Sequence, residues 1–187
     1  MSAPPPPSSP YGAAPPPHPG PSGPRPGELL DRFLARLVDA VLLGIVSFIV
    51  NGVLLSALVA TNGFNSGLGL GTASFSAYGA VSAVLTTAIY LGYFGLMEST
   101  RGQTVGKMVT KLHVQGASGG LPTLEEALKR NIWLAYPILG VIPFLGFLAG
   151  IAALVAVILI AVQINNDVPE RRPWTDQLAG TRVLKEG

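Results

Sequence analysis

The apolar positions of this chain fall into long runs rather than alternations. From Ala40 to Ala60 no charged residue occurs, and only Ser47, Asn51 and Ser56 carry polar side chains. As a helix that run is about 32 Å long, enough to cross a bilayer core of about 30 Å. The pattern predicts a first span over about 33–60 and a second over about 75–97. Between them TNGFNSGLGLGTAS is rich in glycine, uncharged and short, which reads as a loop. The charge gaps make the same point: none occurs between Asp39 and Glu98, and none between Arg130 and Asp167.

The last apolar stretch, Asn131 to Ile164, is longer than one span and shorter than two comfortable ones. Pro137 and Pro143 each remove a helix hydrogen bond and can break it. It is either one long kinked helix or a hairpin turning near Gly140 to Gly146, with spans of about 131–142 and 144–164. The hairpin is preferred, because it returns Arg171, Arg172, Arg182 and Lys185 to the side that already carries positive charge. VTKLHVQ (109–115) and GTRVLK (180–185) also read as short strands, and they pair only if they share a side. Gly146 with Gly150, and Ala149 with Ala153, form a small-residue ridge that suits packing within the chain or between copies.

Composition fixes the class. The 187 residues are 49% hydrophobic and 12% charged, with mean hydropathy +0.48; soluble domains carry roughly a quarter charged residues. The expectation is an all-α integral membrane protein, a small bundle of four helices with a small cytoplasmic β element. A net charge of +2 is too small to suggest nucleic acid, and the absence of cysteine removes disulfide and thiolate chemistry. Residues 1–27 hold twelve of the seventeen prolines. They are expected to form a disordered cytoplasmic tail, a spacer or a ligand for an aromatic-lined groove on a protein partner. The domain proper is then 28–187.

Charge at the threshold of the first span raises the question of function. Arg32, Arg36 and Asp39 share one helical face, and Arg36 and Asp39, three apart, are spaced to pair. An acid about a turn inside the apolar zone is costly unless neutralised. The pair is either an anchor that fixes helix depth or a polar site inside the bundle. After the second span, STRGQTVGKMVTK lacks the P-loop spacing: Gly102 and Gly106 enclose three residues, and Met108 follows Lys107. It reads instead as a basic turn near lipid headgroups. His113 stands without a second ligand. Thr123 with Glu126 forms a capping box that opens a helix. Trp174 reads as an interface anchor, and Asp176 is positioned to pair with Arg36 or Lys107. No catalytic constellation, metal cluster or cofactor motif is visible, so an enzyme is not expected.

Three pieces in order resemble the RDD family of bacterial membrane proteins. They are Arg36-x-x-Asp39, then Arg101-Gly102-Gln103-Thr104-x-Gly106-Lys107, then Trp174-x-Asp176-x-x-Ala179-Gly180-Thr181. The family's arginine and two aspartates correspond to Arg36, Asp39 and Asp176. Thr175 stands where many members carry histidine, which weakens a proton relay built there. The proline-rich tail is similar to that of actinobacterial proline-rich antigen proteins. The resemblance implies a multi-pass protein of the cell membrane, N-terminus cytoplasmic, associated with transport and for some members with cation/proton exchange. Arg36, Asp39 and Asp176 are then candidate ion or proton ligands. A pore from so small a chain needs a homo-oligomer. The alternative is a membrane adaptor that recruits a partner through its tail and basic loop.

Overall fold

The computed structural model describes residues 24–62, 72–167 and 169–186. Most of the proline-rich tail and the centre of the glycine-rich connection fall outside these residues. Three helices are long and apolar enough to cross a membrane. They are α1 (Leu29–Asn62), α2 (Thr72–Arg101) and α5 (Pro143–Asn166). α1 and α5 show Leu, Ile, Val and Phe to the outside, with Phe48 80% and Phe144 71% exposed, and α2 shows Val and Leu. Helices apolar on their outer face require hydrocarbon rather than water around them.

Everything else gathers at one end of these helices. α2 ends at Gly102, whose left-handed φ of +67° suits a residue without Cβ. The short helix α3 (Val105–Val109) follows, then strand β2 (Leu112–Gln115). α4 (Leu124–Asn131) opens with the expected capping box: Thr123 Oγ1 accepts from the Glu126 N–H, and the Glu126 carboxylate accepts from the Thr123 N–H. After α5 come α6 (Trp174–Ala179) and β3 (Arg182–Lys185).

The two expected strands pair antiparallel, His113 opposite Leu184 and Val114 opposite Val183. A third strand was not expected: β1 (Arg25–Pro26), read above as part of the tail, pairs with the other edge of β3. The strand order is β1-β3-β2. Leu112, Val114 and Val183 pack with Ala35 of α1, so the sheet is clamped to the first helix. Deeper among the helices, Leu43, Phe94 and Leu134 form a second buried cluster.

The stretch after α4 is a 3-10 segment (Ile132–Val141) packed between α2 and α5, not an α-helix. Pro137 lies inside it, and Ile142 is extended before Pro143 starts α5. Ten residues at about 2 Å each reach only about 20 Å, short of a full crossing. The chain nevertheless reverses at Ile142, where Gly146 abuts Gly140, and Arg130 and Asp176 meet at 2.9 Å. Residues 132–166 thus do not form one continuous helix. Cysteines introduced at the exposed Ser118 and Glu186 should therefore react with an impermeant maleimide from the same side of the membrane. Labelling from opposite sides would break the β2–β3 pairing.

Candidate functional site

The charged end of the bundle is organised around Asp39, which is fully buried. Its Oδ1 accepts from Tyr93 Oη at 2.7 Å and from the Gly106 N–H at 2.8 Å; its Oδ2 accepts from Thr104 Oγ1 at 2.6 Å. Tyr93 Oη in turn accepts from the Val105 N–H at 3.0 Å, and Thr104 Oγ1 accepts from the Lys107 N–H as the cap of α3. One carboxylate of α1 thus holds the entire first turn of α3. Three such hydrogen bonds satisfy a buried carboxyl group from the fold itself. Gly106 makes the approach possible, because a Cβ there would lie 1.9 Å from the Ala35 carbonyl oxygen.

The rest of the central motif is built in the same way. Gln103 Nε2 donates to the Leu112 carbonyl at 2.9 Å, and the Gly102 carbonyl accepts from the Val114 N–H at 2.7 Å. Both contacts seat the turn on β2. Lys107 is buried and paired with Glu98 of α2. Arg101 is exposed at the end of α2. The motif read above as a basic turn near headgroups is a docking turn, with Lys107 turned inward.

A second set of contacts joins the remaining charges. Arg32 Nη1 donates to Asp176 Oδ2 at 2.8 Å, and Arg130 Nε lies 2.9 Å from Asp176 Oδ1. Arg130 Nη1 is 3.8 Å from Glu98 Oε2, which also accepts from Asn131 Nδ2 at 3.1 Å. Asn131 Oδ1 accepts from Arg36 Nη2 at 2.7 Å. The Arg36 guanidinium lies 4.2 Å from the Phe94 ring centroid and 5.9 Å from that of Trp133. Lys107, in α3, has its ammonium pushed down to about 7 by burial and by Arg130, with Glu98 acting in the opposite direction.

Placement of the candidate residues departs from expectation in two respects. Arg36 and Asp39 do not pair: Arg36 turns to Asn131 and the aromatic rings, Asp39 to Tyr93 and α3. Asp176 pairs with Arg32 and Arg130, not with Arg36 or Lys107. The C-terminal motif serves to present that aspartate. The Trp174 N–H is held by Gln163 Oε1 at 2.7 Å, Asp176 sits in the first turn of α6, and Gly180 closes the helix at φ +69°. Thr181 is fully buried, and its carbonyl accepts from Arg172 Nε at 3.1 Å. Sequence reasoning missed Tyr93, Glu98, Arg130 and Asn131 as members. Glu98 and Arg130 had one visible signal, since they are the charges that border the two uncharged stretches.

Beneath this layer lies a cavity of about 350 Å³ between α1, α2 and α5. Arg32, Arg36, Lys107, Arg130 and Asp176 line its charged end, and Leu43, Ile160 and Ala161 line its apolar end. α1 and α5 scarcely touch. Phe33, Leu37 and Val157, which also line the cavity, are exposed on the outer surface, so it opens sideways. Among the described residues no cluster of three metal-ligating side chains occurs.

Residues 26–180 match the RDD family. The chain belongs to the RDD family. No curated protein and no solved structure matches it. In this RDD-family membrane protein Asp39 and Asp176 are buried acceptors on two different elements, and Arg36 hydrogen-bonds to neither.

Glu98→Gln should destabilise the protein by about 3 kcal/mol, because it strands Lys107 while Arg130 keeps Asp176. Adding Lys107→Met should recover much of that loss, as read by melting in uncharged detergent. A double variant no better than the single one would show that the Lys107 contact is immaterial. Lys107 itself should impose a pH dependence. Between pH 7 and the ordinary lysine value the unfolded chain holds a proton that the folded one has shed. Stability therefore rises with pH across that window and is lowest below it. The melting temperature should climb from pH 7 to 9, and Lys107→Met should flatten the climb.

Proposed function

We propose that this RDD-family protein is a non-enzymatic, multi-pass protein of the cell membrane that binds an anionic group at Arg36, as a carrier or receptor of a small solute. Asp39 acts as its organiser rather than as an ion ligand. The division of labour between the two residues carries the reading. Both Asp39 oxygens are occupied by donors of the fold. Arg36 lines the cavity, and its Nη1 is buried without a hydrogen-bond partner. All twelve lysines and arginines belong to the charged end or its flanks. That supports a cytoplasmic charged end, with both termini inside and α1, α2, the 3-10 limb and α5 as four passes.

The cation/proton exchange associated with the family has one observation in its favour. Asn51 of α1 meets Ser82 and Thr86 of α2 deep among the apolar helices, which gives the α1–α2 seam polar groups beyond Asp39 and Tyr93. The adaptor reading rests on the tail, most of which lies outside the described residues, and on the basic loop; deletion of residues 1–23 tests the tail's part.

Dodecyl phosphate, an anionic amphiphile, should stabilise the purified protein saturably in maltoside detergent. Arg36→Gln should abolish that stabilisation while melting close to wild type, whereas Asp39→Asn should melt several degrees earlier. The reading fails if dodecyl phosphate has no saturable effect. Sodium- or potassium-driven proton flux in liposomes that requires Asp39 and Asn51 would favour exchange instead.

A further inference from the structure

The cavity joins two chemistries that few ligands combine. At its charged end four basic side chains, Arg32, Arg36, Lys107 and Arg130, face a single lining carboxylate, Asp176. Glu98 and Asp39 stand behind, so the buried layer as a whole has four basic groups against three acids. Arg36 Nη1 is buried without a hydrogen-bond partner; Arg130 Nη1, which also lacks one, is 5% exposed and stands at ion-pair distance, 3.8 Å, from Glu98 Oε2. Buried guanidinium donors left unmatched are costly, and an acceptor with negative charge removes the cost. The fork of Arg36 is already held over Phe94, which suits it to a planar or tetrahedral oxyanion.

The remaining walls are hydrocarbon. Leu43, Ile160 and Ala161 line the inner part, and exposed Leu37 and Val157 carry the same surface out between α1 and α5. A free anion fills the charged end and leaves these walls uncovered. A neutral hydrocarbon covers the walls and leaves the guanidinium donors unmatched. The charged end also sits where the charged first turns of α1 give way to its apolar run, the depth at which headgroups meet acyl chains.

We propose that the cavity is a phospholipid site: the phosphate of an anionic lipid is held by Arg36 and Arg130, and one acyl chain lies in the seam between α1 and α5. The proposal rests on Arg36 as the ligand-contacting group and narrows its cargo to the bilayer's own anionic lipid. Basic pockets between membrane helices recognise headgroups in this manner.

The test is a melting series in maltoside with four additives: dioctanoyl-phosphatidylglycerol, dioctanoyl-phosphatidylcholine, dioctanoylglycerol and glycerol phosphate. The phosphatidylglycerol should raise the melting temperature saturably and the other three should not. Arg36→Gln should weaken its apparent affinity roughly tenfold or more. Ala161→Phe, which fills the apolar end away from the ionic layer, should do the same and serves if the arginine variant fails to fold. Lys129→Ala, on the exposed face of α4, should leave it unchanged. Equal stabilisation by glycerol phosphate would make this a free-anion site, and equal stabilisation by dioctanoylglycerol a mere apolar groove. A phosphatidylglycerol effect that survives both cavity variants would place the lipid elsewhere. Any of these three results overturns the proposal. Failure of the lipid alongside success of dodecyl phosphate overturns the lipid and leaves the anion-binding reading standing. Failure of both removes the two together.

Discussion

A carboxylate placed inside the first membrane helix must find donors or lose its charge, and the structure is arranged around how Asp39 finds them. Its three donors come from Tyr93, Thr104 and Gly106, so satisfying one buried group fixes α2 and α3 against α1. That position of α3 brings Lys107 to Glu98. Glu98 lies beside Arg130, which shares Asp176 with Arg32 of α1. The circuit begins and ends on one helix. Networks of this sort add little net stability over an apolar packing, yet losing one member is severe. Their evident role here is to allow only one arrangement of the elements at the charged end.

Much of this architecture was legible in the sequence. Uncharged stretches of bilayer length, the Thr123–Glu126 box and the β-like segments around Val114 and Val183 are local patterns, and each appears where local physics places it. What escaped is non-local. Spacing put Arg36 and Asp39 on one helical face, but a face is broad: Asp39 points to α3 and Arg36 to α4 and the rings. Their partners are chosen by elements that only the folded chain brings near. The strand at Arg25–Pro26 was hidden by proline, which is tolerated at a sheet edge because no donor is needed there. The 3-10 limb was hidden because its composition equals that of a membrane helix, while Pro137 and tight packing set its form.

The family motifs also change meaning once placed. The central motif reads as a basic turn near headgroups, yet its Gly106 N–H donates inward to Asp39 of the same chain and its Lys107 N–H to Thr104 Oγ1. The glycine at 106 is there because helix and turn share the same space. Anion chemistry moves instead to the arginines that face the cavity, where guanidinium groups outnumber carboxylates.

The sheet imposes an order on synthesis. β1 immediately precedes α1, yet its partner β3 is the last strand of the chain. Arg32 likewise awaits an aspartate 144 residues downstream. The first helix is therefore made long before Asp176 and β3, so Arg32 and β1 wait for partners that lie far along the chain. A chain cut before residue 176 keeps Arg36 with Asn131 and Lys107 with Glu98, but leaves Arg32 without its carboxylate and β1 without its strand.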